Sequence, residues 1–168
     1  MIKIGNDISK FSSYSCQPNT KKELRQIIKW RISIEGPNCD LNDIDTSLIT
    51  DMSFLFYKSS FNGNISNWNV SNVKEMTAMF RSSEFNEDIS EWDVSNVESM
   101  EGMFAFSKFD ADISNWDTSN VTNMYWMFAG SEFNKDISDW NIREDCVDIN
   151  MFLSCQTKEE YKPKSLQK

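Results

Sequence analysis

Apolar residues return along this chain with a period of 24 residues. The repeating unit occurs five times without a gap, at 37–60, 61–84, 85–108, 109–132 and 133–156. Position 20 of the unit is Phe in all five copies, and positions 1, 5, 8, 16 and 19 are apolar in at least four. Such a fixed period predicts that each unit packs its apolar side against the next unit. We therefore expect a tandem-repeat protein with one core that runs through all five units, called units 1 to 5 below.

Two spacings within the unit predict its local structure. Positions 16, 19 and 20 follow the i, i+3, i+4 pattern, which predicts a short helical segment in the second half. The first half, such as residues 88–92, predicts a short strand followed by a turn. One strand per unit, in register, gives a parallel sheet with about 4.8 Å between strands. The expected fold class is an α/β repeat solenoid of five coils, each with one short parallel strand and one short helical segment.

Capping signals flank the repeats. Thr20 and Glu23 have the S/T-x-x-E spacing of a capping box, which predicts a helix from Lys21 to about Ile34 that ends near Gly36 and Pro37. The inner stripe of this helix is expected to consist of Leu24, Ile27 and Ile28. The expected organisation is an N-terminal segment with a capping helix at 1–36, the repeats at 37–156, and a polar tail at 157–168. The tail lacks an apolar period and is expected to be loose.

Composition narrows the range of functions. The 168-residue chain has no His and only five Gly, none of them in a phosphate-binding loop motif, so neither an enzyme nor a cofactor is expected. Its formal net charge is −9, with −15 on residues 37–156 and +6 on the rest. An acidic surface disfavours direct binding of nucleic acid or of an anionic membrane.

The cysteines and the N-terminus bear on compartment. The four cysteines form no CxxC pair and are expected to be free thiols; they are Cys16, Cys39, Cys146 and Cys155. No stretch approaches the ~20 apolar residues of a membrane span, and the first residues show no apolar region of a secretory signal. We expect a cytoplasmic monomer.

The unit also carries a specific motif. Residues 85–104 read FNEDISEWDVSNVESMEGMF, and 109–128 and 61–80 repeat this run with small changes. The run resembles the repeat of the BspA-like leucine-rich-repeat surface proteins of bacteria, F-N-x-D-I-S-x-W-D-V-S-N-V-x-x-M-x-x-M-F. The resemblance covers about three quarters of the chain. It implies a leucine-rich-repeat-like solenoid with a non-enzymatic binding role, and exposure at the cell surface.

Large aromatic residues in columns that do not repeat are candidate partner-binding residues, because the core does not require them there. They are Phe54, Tyr57, Phe106, Tyr125 and Trp126. Trp126 occupies position 18 of unit 4 and Phe106 occupies position 22 of unit 3, so we expect a patch shared across adjacent units. Local packing between neighbouring units is the alternative explanation.

Acidic residues form a second candidate surface for a partner. The candidates are Asp88, Glu91, Asp112, Asp136 and Asp139. Stacked carboxylates can hold a divalent cation, but no calcium-loop spacing is present, so we expect Asp and Asn to bind backbone N–H groups in turns, with no metal site. The Trp column at position 8 has the period of the core and is expected to be structural rather than a stacking platform for sugars.

Three functions are compatible with these features. The first is a non-enzymatic module that binds a protein partner, a basic one if the acidic units steer it, through the solenoid surface. The second is an intracellular, phage-encoded inhibitor of a basic nucleic-acid-binding enzyme such as a CRISPR nuclease, which would mimic a track of phosphates. The third is a bacterial surface adhesin or carbohydrate binder. The variable columns and surplus aromatics favour the first function.

Overall fold

The computed structural model describes residues 17–167. These residues form one α-helix, α1 (Lys21–Glu35), and two short 3₁₀ helices at Glu159–Tyr161 and Lys164–Leu166. None of these helices has both the length and the apolar character needed to cross a membrane. The expectations for residues 1–16, including the thiol of Cys16, lie outside the described residues.

Successive units lie side by side with a register of 24 residues. Single-residue parallel bridges join position 15 of each unit to position 15 of the next, from Asp51 through Glu75, Ser99 and Asn123 to Val147. Beyond each bridge, alternate backbone N–H groups donate to carbonyls of the following unit, for example Phe80 to Met103 at 2.9 Å and Phe104 to Met127 at 2.9 Å. We propose from this register that the five units form the coils of one continuous solenoid.

The second half of each unit is a pair of turns, so the predicted short helical segments are wrong. In unit 3 the N–H of Met103 donates to the carbonyl of Met100, and the N–H of Ser107 donates to the carbonyl of Phe104. Positions 18 and 22 have positive φ in all five units. Each turn has its third residue in the left-handed region. Two such turns in succession place positions 16, 19 and 20 on one side of the segment, as a helix with the same spacing would. We call positions 15–23 the double-turn segment.

The predicted short strand in the first half is also wrong. In unit 3 the N–H of Trp92 donates to the carbonyl of Ile89 at 3.2 Å, and the carboxylate of Asp88 accepts from the N–H of Ser90 at 2.9 Å. These local bonds close a turn and leave no extended strand there. The bridges at position 15 are the parallel pairing that joins the units within residues 17–167.

The core follows the predicted columns. The position 5 residues, which are Leu41, Ile65, Ile89, Ile113 and Ile137, are all buried. The position 20 rings stack from unit to unit: Phe56 on Phe80 at 5.4 Å, Phe80 on Phe104 at 5.7 Å and Phe104 on Phe128 at 5.7 Å. Because each ring also contacts the Phe at position 1 of the next unit, the core is a continuous double stack of aromatic rings.

Helix α1 is present as predicted and packs on unit 1. Thr20 accepts a hydrogen bond from the N–H of Glu23 at 3.2 Å, while the Glu23 carboxylate accepts from the N–H of Asn19 at 2.8 Å. Leu24 and Ile28 are buried in the core, and Ile27 is partly buried against it. Arg25 donates to the carbonyl of Phe54 at 2.8 Å, so the helix also provides a hydrogen-bond donor for a carbonyl at the outer edge of unit 1.

The chain after the last unit is docked rather than loose. The N–H of Ile137 donates to the carbonyl of Tyr161 at 2.9 Å, and the N–H of Lys164 donates to the carbonyl of Ser138 at 3.2 Å. Thr157 and Pro163 are buried. An apolar period was not needed, because these residues cover the end of unit 5 chiefly through backbone hydrogen bonds.

Candidate functional site

The five candidate aromatics all lie on double-turn segments, in two groups. In unit 1 the rings of Phe54 and Tyr57 meet edge to face at 5.8 Å. In units 3 and 4 the ring of Phe106 meets that of Trp126 at 6.1 Å, and Tyr125 stacks on Trp126 at 5.5 Å. The prediction that Phe106 and Trp126 share a patch across adjacent units is therefore confirmed.

The backbone beneath three of these aromatics is in the left-handed region. Phe54 has φ 58°, Phe106 has φ 58° and Trp126 has φ 59°. Bulky residues rarely adopt this conformation, whereas other units place Gly102 and Gly130 in the same two columns. The turns therefore do not require these aromatic side chains, and the fold holds them in an unfavourable conformation.

Arg81 completes the larger group, and the sequence analysis missed it. Its guanidinium carbon lies 5.4 Å from the ring centre of Phe106 and 5.6 Å from that of Trp126, within cation–π range. Arg81 belongs to unit 2 and reaches Trp126 in unit 4 across Gly102; a Cβ added at Gly102 would lie 3.4 Å from an Arg81 nitrogen. We call Arg81, Phe106, Tyr125 and Trp126 the arginine–aromatic cluster.

A second glycine makes room for Phe106. A Cβ added at Gly130 would lie 2.5 Å from the Phe106 ring, so the ring lies directly over that glycine. The missing side chains of Gly102 and Gly130 thus leave the space that Arg81 and Phe106 occupy. Two features of the sequence could have indicated the cluster. Position 21 is Arg in unit 2 but Ala in units 3 and 4, and the residue that aligns with each glycine in an adjacent unit is aromatic: Trp126 for Gly102 and Phe106 for Gly130.

The guanidinium of Arg81 forms no hydrogen bond or ion pair with any residue in 17–167. Four of the other five cations in the units pair with carboxylates, for example Lys74 with Glu98 at 2.7 Å and Lys108 with Glu132 at 2.6 Å. The fifth, Lys58, is exposed and lies over the ring of Tyr57. Since the units carry 21 acidic and 6 basic residues, a half-buried arginine without a carboxylate is an exception.

All five acidic candidates are exposed, and three of them also stabilise turns. Asp88, Asp112 and Asp136 each accept a hydrogen bond from the N–H two residues later, at 2.9 Å. The bonds from Ser90 and Ser138 hold the pKa values of Asp88 and Asp136 below the ordinary range of a carboxyl group. The interpretation of these columns as turn residues is confirmed.

The structure brings three of the five acidic candidates together. Asp112, Asp136 and Asp139 line one surface depression of about 420 Å³, together with Lys135. Asp139 forms an ion pair with Lys164 at 2.5 Å. Asp88 and Glu91 lie in unit 3 and do not line this depression.

The Trp column is structural, as predicted. Trp68, Trp92, Trp116 and Trp140 are buried. The indole N–H of each donates to the position 5 carbonyl of the preceding unit, at 2.9 to 3.2 Å. These rings therefore hold adjacent units together, and their faces are not offered to a ligand.

The cysteines within residues 17–167 are free thiols, as expected. Cys39 is buried, and burial raises the pKa of its thiol. Burial likewise raises the pKa of the Cys146 thiol. In the same part of the chain no group of three His, Cys, Asp or Glu side chains is arranged to hold a metal ion.

These features define a tandem-repeat protein whose units are joined by backbone ladders and aromatic stacks. A model of the family described as "Mycoplasma protein of unknown function, DUF285" matches residues 25–107 and again residues 105–162. The matches span more than half of the chain, which therefore belongs to this family. No curated protein and no solved structure matches the chain.

Proposed function

We propose that this chain is a non-enzymatic protein-interaction module and that the arginine–aromatic cluster is its main contact with a partner. The observation that carries the proposal is the position of Phe106, which is half exposed on a left-handed backbone where the other units have Lys, Ser or Gly. Exposed aromatic and arginine side chains are the residues that most often dominate binding energy at protein interfaces. The resemblance to BspA-like repeats supports the same role.

The geometry supports this use of the cluster in a second way. Phe106, Trp126 and Arg81 come from three consecutive units and hold one another through ring and cation–π contacts. Side chains that are ordered before binding lose less conformational entropy when a partner arrives. A partner can therefore bind a rigid patch, whereas flexible surface residues would first have to be ordered.

Quantitative affinity capture from lysate tests the proposal, with the wild-type chain compared with Trp126→Ala and Phe54→Ala. Both substitutions change position 18, where unit 2 already has Ala78 on a left-handed backbone with φ 52°, so both variants should fold. We expect at least one protein to bind the wild type and Phe54→Ala but to be depleted about 30-fold or more by Trp126→Ala, since a central anchor contributes about 2 kcal/mol. Identical capture by all three chains would contradict the proposal.

A second candidate function is inhibition of a basic nucleic-acid-binding enzyme by phosphate mimicry. The three carboxylates around one depression, Asp112, Asp136 and Asp139, favour it. Asn at Asp112 and Asp136 should preserve the turns, because Asn64 fills the same column and accepts from the N–H of Ser66 at 3.1 Å. If this function holds, changing all three to Asn should slow association with a basic partner and reduce its salt dependence. Unchanged association rates would exclude this candidate.

A further inference from the structure

We propose that the arginine–aromatic cluster binds a peptide segment in which an Asp or Glu side chain lies next to an apolar residue. The inference rests on the proposed function and specifies the chemistry of the partner. Arg81 would receive the carboxylate, and the exposed face of Phe106 would receive the apolar side chain. The site thus selects an anionic motif, although the surface around it is acidic.

The unpaired guanidinium is the first support. Of the six basic residues in the units, four form ion pairs with carboxylates: Lys74, Lys108, Lys135 and Arg143. Arg81 has no such partner within residues 17–167 and lies against aromatic rings instead. A cation that is partly desolvated without a carboxylate gains more from an incoming anion than one that is already neutralised.

The position of the guanidinium beside two rings is the second support. The ring planes of Phe106 and Trp126 are inclined to each other by 80°. The guanidinium carbon of Arg81 lies 5.4 Å from the centre of the Phe106 ring and 5.6 Å from that of the Trp126 ring. A guanidinium held by its neighbours still has N–H donors that can grip a carboxylate through two parallel hydrogen bonds. A guanidinium that is ordered before binding loses less conformational entropy when it makes that contact.

The aromatic surface is the third support. Phe106 is 50% exposed beside Arg81, so an apolar side chain of a ligand would cover the ring and also exclude water from the ion pair. Exclusion of water strengthens a contact between opposite charges. A basic motif is disfavoured at this cluster, because Arg81 already lies over both rings and would repel a second cation.

A random 12-residue peptide library displayed on phage provides the probe. The full chain is the target, and selected peptides are resynthesised with amidated C-termini and tested for binding to Trp126→Ala. Peptides that lose binding to this variant define ligands of the cluster. We expect these peptides, but not those that still bind Trp126→Ala, to be enriched in Asp or Glu beside an aliphatic or aromatic residue.

The charge contact is then measured from both sides. Changing the peptide Asp or Glu to its amide should weaken binding to the wild type at least 10-fold and should have no further effect on binding to Arg81→Met. Leu48→Asn is the matched control, because Leu48 is exposed, lies outside the double-turn segments and is replaced by Asn in units 2 to 4, and it should bind every cluster peptide with unchanged affinity. Thermal unfolding of each variant verifies its fold, and the comparison of acid with amide peptide on the wild type stands even if Arg81→Met does not fold.

The outcomes separate this inference from the proposed function. Cluster peptides without acidic enrichment, or an equal effect of the amide change on the wild type and on Arg81→Met, would overturn the inference and leave the interaction module intact. If no selected peptide depends on Trp126, both the inference and the binding role of the cluster are overturned.

Discussion

Phe104 shows at the level of one residue how the repeat is stabilised. It has no exposed surface and stacks on Phe80 and on Phe128 at 5.7 Å. Phe104→Ala removes the middle ring of this stack and leaves a cavity with rigid walls. We expect the free energy of unfolding to fall by about 3–5 kcal/mol in urea denaturation. A loss below about 1 kcal/mol would show that the stack does not carry the core.

Glu75 is a residue that the fold tolerates at a cost. Burial, then the nearby carboxylates of Asp51 and Glu98, raise its pKa above the usual value. Because the folded-state pKa is the higher one, the ionised form destabilises the fold above that pKa, and the penalty disappears as the pH falls below the unfolded-state value. Glu75→Gln should therefore raise the melting temperature at neutral pH.

The same substitution predicts a pH dependence. The gap in melting temperature between Glu75→Gln and the wild type should close as the pH approaches about 4, where the carboxyl group is increasingly protonated in both states. Glu91→Gln is the control, since Glu91 is exposed and is not among the carboxylates that raise the pKa of Glu75. A stabilisation by Glu75→Gln that stays constant over this pH range would contradict the electrostatic explanation.

The sequence predicts residues of the core better than residues of the surface. The columns of Ile, Met, Phe and Trp were recognisable because each repeats every 24 residues. Arg81 was not, because its role depends on the missing side chains of Gly102 and Gly130 in two other units. A column-by-column comparison finds what the units share, whereas the cluster arises from what they do not share.

At the level of elements, helix α1 depends on its N-terminal cap. Thr20 accepts from the N–H of Glu23, which would otherwise lack a partner in the first turn. Thr20→Ala should lower the free energy of unfolding by about 0.5–2 kcal/mol, measured by chemical denaturation. Thr20→Ser keeps the hydroxyl and should retain nearly all of the stability; an equal loss in both variants would show that the cap bond is not the cause.

The double-turn segments show where prediction of elements failed. Turns that span positions 16–19 and 20–23 bring the same positions to the core as one helical turn would. Gly at positions 18 and 22 would have indicated turns, but most units fill these left-handed positions with other residues, such as Phe54, Ala78 and Ser82. Helix α1 was predicted correctly because its capping residues leave no such ambiguity.

At the level of the whole molecule, the acidic columns stabilise turns in successive units. Their carboxylates accept backbone N–H bonds, as Asp112 does from Ser114 and Asp117 does from Ser119. We therefore expect a chelator to leave the melting temperature unchanged. Scanning calorimetry with chelator and with excess calcium checks this expectation. A large calcium-dependent rise in the melting temperature would show that these columns bind a metal ion.

The central claim is that the repeating columns build the fold and that the arginine–aromatic cluster is available for binding. The most direct measurement compares the unfolding of two variants in urea. One combines Arg81→Ala, Phe106→Ser and Trp126→Ala, each of which introduces a residue that another unit has in the same column, namely Ala105, Ser82 and Ala78. The other is Trp116→Ala, which removes a buried ring and its hydrogen bond to Ile89.

The free energy of unfolding of the first variant should stay within about 1 kcal/mol of the wild-type value, and that of the second should fall by about 3–5 kcal/mol. A loss in the first variant as large as that in the second would contradict the account, because the cluster would then be part of the packing that holds the units together.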